Sequence, residues 1–358
     1  MKKVLLISNK VFHYRIPIYN FFYNKFKEHS IELSLLTNEI QDANNEKIEF
    51  PCLNEPFSPI KYCAIINEIK PDAIIFFLHL KDKVLWPILY YAKFKNIPLI
   101  KWGHMVNLKD QHNKFKVMLF DHIHNISAAI IAYSDDQKKF LKTKNLSKVF
   151  VAYNTIHFNI FPSISSPKKD LRKKYGVSYE NVVLFVGRIT EVKRLDILLD
   201  IFSNYEIPNT GLVIVGPNMS DAYQKIIDKQ NNITYLGAIY DHNQINEIYS
   251  MSDIFCIPGT NGLSVNHAMF WGLPIITIAS EVHSPEITYL IDGQNGYLVN
   301  SEEELKDKIQ YLFENKFHLK QLSLNAANDI RKNASIENMF EGFLKAVNFV
   351  TDKKQLKK

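Results

Sequence analysis

The residues best suited to chemistry stand in two short runs of the second half. The first, Gly187-Arg188-Ile189-Thr190-Glu191-Val192-Lys193, follows the apolar stretch Val182–Val186 and precedes a helical one. A glycine at a strand end lets the backbone turn, and Arg188 with Lys193 then places two cations at the carboxyl edge of a sheet. Guanidinium offers a planar fork and ammonium a point charge, so the pair suits a diphosphate and the charge that develops on it as it leaves. A solvated basic loop is the alternative reading of the same pair. The second run, Pro258-Gly259-Thr260-Asn261-Gly262-Leu263-Ser264-Val265-Asn266-His267-Ala268-Met269, joins a strand end, glycines and a helix start. Backbone N–H groups and the positive helix end then meet in one place, ready for phosphate or sugar hydroxyls.

Absent motifs narrow the chemistry. No two glycines are separated by a single residue, so the GxGxxG dinucleotide fingerprint is missing, and GxxxxGK[ST] and GxSxG are missing too. No Asp-x-Asp pair or HExxH occurs, and His122 and His124 at alternate positions do not share a helix face. The expectation is a reaction without metal or cofactor.

These runs need elements to position them, and the chain alternates apolar strand-length runs with amphipathic stretches. Strands are predicted at Lys3–Ser8, Ile31–Thr37, Ala73–Phe77, Pro98–Lys101, Ala128–Tyr133 and Val149–Tyr153. A second series is predicted at Val182–Gly187, Gly211–Gly216, Ile233–Gly237, Asp253–Pro258, Pro274–Ile278 and Gly296–Val299. Helical windows separate them, among them Ile60–Lys70, Val84–Asn96, Leu195–Asn204, His242–Ser250 and Leu263–Trp271. Such alternation demands right-handed crossovers and parallel sheets. With 358 residues, two domains are expected: 1–160, 161–335, and a closing helix from 336 that crosses back to brace the first, followed by a basic tail to 358. Phe161–Lys169, with its Pro and Ser, reads as the linker.

The composition, 46% apolar and 22% charged, is that of an ordinary globular protein. Three cysteines without a CxxC pair read as thiols in a reducing compartment, and the short apolar run after Met1 is strand-length, so a cytoplasmic protein without a signal peptide is expected. No apolar run approaches the ~20 residues of a membrane span. Residues 1–155 hold 22 Lys/Arg against 14 Asp/Glu, and 156–358 hold 21 against 23, so the positive excess lies in the first half. That suits attraction to an anionic surface or substrate, and equally a surface that is merely soluble.

The ordered series "FVGRITEVKRLDILL", "IYSMSDIFCIPG", "GLSVNHAMFWGLPIIT" and "PEITYLIDGQNGYLV" resembles the retaining, nucleotide-sugar-dependent glycosyltransferases of the GT-B fold, especially glycosyltransferase family four. The resemblance implies an α/β chain of two Rossmann-like parallel-sheet domains facing a central cleft. The second would bind a nucleotide-sugar donor; the first would bind a glycan or polyprenyl-diphosphate-linked acceptor, with no nucleic acid involved. It implies that Arg188 and Lys193 bind the donor diphosphate and that Gly187, Gly259, Asn261, Gly262, Leu263 and Ser264 line the donor. His104, after the predicted strand ending at Lys101, matches a histidine that points at the donor sugar. Glu286 matches a glutamate that touches the donor or caps the following helix. Tyr14 and Arg15, in a loop lacking the glycines of many relatives, are expected to meet an anionic acceptor.

The chain departs from the family at two glutamates spaced eight apart, where Gly259 and His267 stand. A neutral imidazole at His267 can accept from a ribose hydroxyl through its unprotonated nitrogen, as the second glutamate does. The implied function is sugar transfer with retention in surface-polysaccharide or lipopolysaccharide synthesis, peripherally at the inner membrane face; Phe115 and Phe120 beside Lys114 and Lys116 are contact candidates, core packing being the more ordinary use of both. An inverting transferase, a nucleotide-sugar epimerase, and a binding protein without catalysis are the rival readings.

Overall fold

A computed structural model of the chain describes residues 1–41, 47–77, 80–280 and 282–355. The chain opens with β1 (Lys2–Phe12), α1 (Ile16–Glu28), β2 (Ile31–Gln41), β3 (Cys52–Asn54), α2 (Pro59–Ile69) and β4 (Ala73–Phe77). It continues through α3 (Leu85–Phe94), β5 (Leu99–Trp102), α4 (Lys114–Ile126), β6 (Ala129–Ala132), α5 (Thr143–Leu146) and β7 (Val149–Val151). Next come α6 (Lys168–Lys174), β8 (Asn181–Val186), α7 (Leu195–Asn204), β9 (Thr210–Val215), α8 (Asp221–Ile227), β10 (Ile233–Tyr235) and α9 (His242–Met251). The remaining elements are β11 (Ile254–Cys256), α10 (Ser264–Phe270), β12 (Ile275–Ile278), β13 (Gly296–Val299), α11 (Glu302–Glu314), α12 (Lys316–Asn333) and α13 (Ile336–Gln355). Every strand expected from the alternation is present. The short β3 was not anticipated, since three partly exposed residues carry no periodic signal.

Two compact units result: 1–157 with 336–358, and 158–335. The first holds a seven-stranded sheet in the order β3-β2-β1-β4-β5-β6-β7, and the second a six-stranded sheet in the order β10-β9-β8-β11-β12-β13. Every pairing between these strands is parallel. Alternation along β1 explains both layers of the first unit. Val4 and Leu6 face α1 and α13, packing with Phe22, Phe26, Phe340 and Phe343, while Leu5 and Ile7 face the other layer with Tyr62, Ile88 and Ile123. Strand order reverses between β1 and β4, and again between β8 and β11. In a doubly wound sheet the loops leaving those strands flank the crevice that takes ligands.

The first boundary falls at His157–Phe158 rather than at 160–161. The linker expectation is corrected accordingly. The Phe161 ring stacks on His267 at 4.5 Å and meets Phe270 edge-on at 5.0 Å, and residues 168–174 form α6. That helix is fastened by Arg172, whose Nη2 lies 2.7 Å from Asp253 Oδ2. The expected basic tail begins inside α13, and 356–358 lie outside the described residues.

Candidate active site

In the second unit the loops after β8 and β11, the two strands at the order reversal, lie against each other. Gly259 N–H donates to Lys193 O at 3.1 Å and Thr260 N–H to Val192 O at 2.7 Å. The approach is so close that a Cβ on Gly259 would stand 2.2 Å from Val192 O. Likewise a Cβ on Gly216, at the end of β9, would stand 1.9 Å from Gly187 O. These glycines let three strand ends converge, and the Gly187–Lys193 turn is held between them. Arg188 is exposed on that turn. Lys193 folds back beside Gly187, its Cε 3.9 Å from where a Cβ would be, and its Nζ donates to Thr260 O. Burial pushes the Lys193 ammonium down to about 8, against the pull of the Glu286 carboxylate. Glu286 is itself buried, in a single 3-10 turn at Pro285–Tyr289. Lys193 and Glu286 are thus brought to one place, which their spacing of ninety-three positions did not reveal.

The donor-lining residues divide. Gly262, Leu263 and Ser264 are half-buried at the start of α10, and Gly262 lies beside the Ser284 hydroxyl, 3.9 Å from a Cβ position. Two expectations are corrected. Asn261 is fully buried, and its side-chain amide donates to Ile257 O at 3.0 Å, Gly259 O at 3.1 Å and Thr277 Oγ1 at 2.8 Å. It braces the loop instead of lining the donor. Gly259 offers no amide either, because its N–H is used by Lys193 O. Two further braces gave no sequence signal. His283 Nδ1 accepts from Asn261 N–H at 3.3 Å while its Nε2 donates to Ile278 O at 2.9 Å, and Thr277 Oγ1 donates to Ile257 O at 2.8 Å.

His267 is half-buried on α10 and lies between Tyr249, stacked at 4.0 Å, and Phe161. Burial holds its imidazole neutral, with the pKa lowered to about 3. Its Nε2 is 2.8 Å from Asn246 Oδ1.

In the first unit the carboxyl edge is organised by side chains. Lys101, fully buried at the end of β5, donates through Nζ to Gly103 O at 3.2 Å and to His104 O, fixing the turn that carries His104. Burial pulls its pKa well below the ordinary lysine value. His104 is half-buried, its ring edge-on to Tyr133 at 5.2 Å and its Nδ1 3.4 Å from Gln137 Nε2. Gln137 Oε1 accepts from Tyr133 N–H at 3.0 Å, so the amide nitrogen faces His104 and donates to it. The expectation for Arg15 is corrected. It is 8% exposed, donates to Asn154 Oδ1 at 3.0 Å and Tyr133 Oη at 3.4 Å, and lies over the Trp102 ring at 4.9 Å. Its Nη2 is committed to the two side chains of the edge rather than presented to solvent. Tyr14 remains half-exposed, its ring parallel to Phe12 at 5.7 Å. On α4, Phe120 belongs to the core, whereas Phe115 and Met118 are 63% and 56% exposed. Lys116 pairs with Asp110. No helix among the described residues is long and apolar enough to cross a membrane.

Comparison with known proteins bears on sequence family and fold. Residues 167–335 match the sequence profile of the family described as Glycosyl transferases group 1. The chain is 27% identical over 222 residues to a Klebsiella pneumoniae protein described as an uncharacterized 41.2 kDa protein in the cps region, covering 59% of this chain and 60% of that one. It is 27% identical over 165 residues to the alpha-monoglucosyldiacylglycerol synthase of Acholeplasma laidlawii, covering 44% of this chain and 41% of that one. These matches span 60% or less of the curated relatives' length. In fold, the crystal structure of Anabaena HepE in complex with UDP aligns at a TM-score of 0.77 with 18% identity, covering 97% of this chain and 100% of that one. Residues 167–335 therefore match the glycosyl transferases group 1 profile, and the chain, with two parallel-sheet Rossmann-like units, has the GT-B fold.

Proposed function

We propose that the protein transfers a sugar from a nucleotide-sugar donor to a glycan or lipid-linked acceptor, with retention of configuration, in the synthesis of a surface polysaccharide or lipopolysaccharide. The observation that carries this reading is the Arg188–Lys193 turn at the order reversal of the second sheet, with Glu286 behind Lys193. Arg188 and Lys193 stabilise the departing diphosphate; the start of α10 at Gly262–Ser264 lies beside it, and His267 accepts from the ribose. His104 is assigned to the donor sugar and Tyr14 to the acceptor. Glu286, the carboxylate in this set, is buried behind Lys193, so attack comes from the face the diphosphate leaves. Metal is dispensable in this scheme, as the sequence has no Asp-x-Asp pair.

The acceptor reading draws on charge and on the relatives' descriptions. The first unit carries 27 Lys/Arg against 17 Asp/Glu, the Klebsiella relative is described from a cps region, and the Acholeplasma relative is named for a glycolipid. Exposed Phe115 and Met118 beside Lys114 support reversible docking on an anionic cytoplasmic membrane face. A panel of UDP-, GDP-, CMP- and dTDP-sugars tests the donor: the true one raises the melting temperature and supports turnover, with an unchanged anomeric configuration in the product. An inverted product overturns retention, and binding without turnover on any acceptor leaves a nucleotide-sugar binding protein. Vesicles containing anionic lipid should bind the protein at low salt and release it at high salt; no binding at any salt leaves a soluble acceptor.

A further inference from the structure

The surroundings of His267 determine where its proton sits. Asn246, on α9, is completely buried. Its Nδ2 donates to His242 O at 2.7 Å, and its Oδ1 lies 2.7 Å from Trp271 Nε1 and 2.8 Å from His267 Nε2. An indole nitrogen can only donate, so the amide atom facing Trp271 is the oxygen, and the carbonyl of His242 confirms the orientation from the other side. An amide oxygen only accepts. His267 Nε2 therefore carries the proton, and in a neutral imidazole Nδ1 keeps its lone pair. Nδ1 has no hydrogen-bond partner among the described residues and is not an enclosed atom. The ring cannot swing to exchange its nitrogens, being stacked between Tyr249 and Phe161.

We propose that Asn246 is a positioning residue that locks His267 in the Nε2–H form, so that Nδ1 is a permanent hydrogen-bond acceptor for a ribose hydroxyl of the donor nucleotide. The ribose contact rests on the proposed function; the lock does not. A glutamate at this position would offer two acceptor oxygens and a charge, whereas the locked imidazole offers one lone pair and no charge. Asn246 thus supplies what the imidazole alone lacks, a fixed polarity.

Nitrogen–proton correlation spectra of protein labelled at histidine read the lock directly, with His267→Gln assigning the signal. The wild type should show His267 protonated at Nε2 alone, and Asn246→Leu should move the proton towards Nδ1. Protonation at Nδ1 in the wild type, or an unmoved proton in Asn246→Leu, overturns the lock. Calorimetry with UDP, GDP and inorganic pyrophosphate then reads the ribose contact. Asn246→Leu should weaken the better nucleotide about 3- to 10-fold and leave pyrophosphate unchanged. Equal loss for nucleotide and pyrophosphate, or no nucleotide binding by the wild type, overturns the ribose contact while the spectra still decide the lock. If Asn246→Leu fails to fold, Asn246→Ser, too short to reach His267, takes its place in both measurements.

Discussion

Each sheet carries a lysine at its carboxyl edge that donates to loop carbonyls, yet the two are used differently. Lys193 is half-buried on a turn tied down by backbone hydrogen bonds and keeps a pKa of about 8, near the range where its charge is useful. Lys101 is fully buried, far from its ordinary value, and spends its donors on Gly103 and His104. Where glycines and main chain build the scaffold, the lysine stays half-buried with its ammonium on one loop carbonyl, Thr260 O. Where side chains build it, the cation becomes part of the scaffold.

The largest expected effect tests that division. Arg188→Ala and Lys193→Ala should each lower turnover by about 10²–10³ with little change in melting temperature, since each removes a group that stabilises developing charge. Lys101→Ala should do the reverse, costing about 2–4 kcal/mol of stability through its cavity and two abandoned carbonyls. Steady-state rates beside denaturant curves separate the two outcomes; near-normal rates in both donor-edge variants would end the diphosphate assignment.

Gly259→Ala comes next. Its Cβ would stand 2.2 Å from Val192 O, and forcing that contact should cost about 1–3 kcal/mol in denaturant midpoint and loosen nucleotide binding with it. Gly259→Glu, although it restores the side chain usual in the family, should be no more active. A stable, faster Gly259→Glu enzyme would show that the two loops can part.

The third prediction uses pH. Lys193 is a base whose folded value of about 8 lies below the ordinary 10.5. It sheds its proton as pH rises through 8, so affinity for pyrophosphate should fall above that point, by up to about tenfold per unit. Stability moves the opposite way between 8 and 10.5, because there the unfolded chain holds the proton that the folded one has lost. Lys193→Arg, always charged, should flatten the binding profile; a profile that keeps its shape assigns the titration elsewhere.

The last test uses an imidazole outside the donor-edge turn. His124, buried on α4 with neither ring nitrogen hydrogen-bonded among the described residues, has its pKa lowered to about 3 by burial and nearby Lys101 and Lys148. Below 6.5 the unfolded chain takes up a proton that folded His124 refuses, so stability falls as pH drops from 6.5 towards 3. His124→Phe should remove about 1.4 kcal/mol per pH unit of that slope without altering nucleotide affinity. An unchanged acid slope would mean that His124 is reached by solvent.

The same contrast explains what the sequence disclosed. Parallel strands buried on both faces announce themselves as apolar runs, so both sheets were legible, and the glycine-bearing turns marked Arg188 and Lys193. The brace on the second site was not legible: Asn261 reads as a ligand residue until its amide is seen shared among Ile257, Gly259 and Thr277. Arg15 misled in the same way, since nothing near it in sequence reveals that Asn154 and Trp102 enclose it. Polar residues that satisfy one another across long sequence separations leave no periodic trace.

The last helix sets an order on synthesis. Met339, Phe340, Phe343 and Val347 of α13 complete the core around Phe22, Phe26 and Trp102, so the first unit lacks part of its interior until α13 has left the ribosome. The second unit, continuous from 158 to 335, meets no such delay. The usual amino-to-carboxyl order of domain folding is thereby inverted, and the nascent chain carries an unfinished sheet face for the time needed to translate everything between α1 and α13.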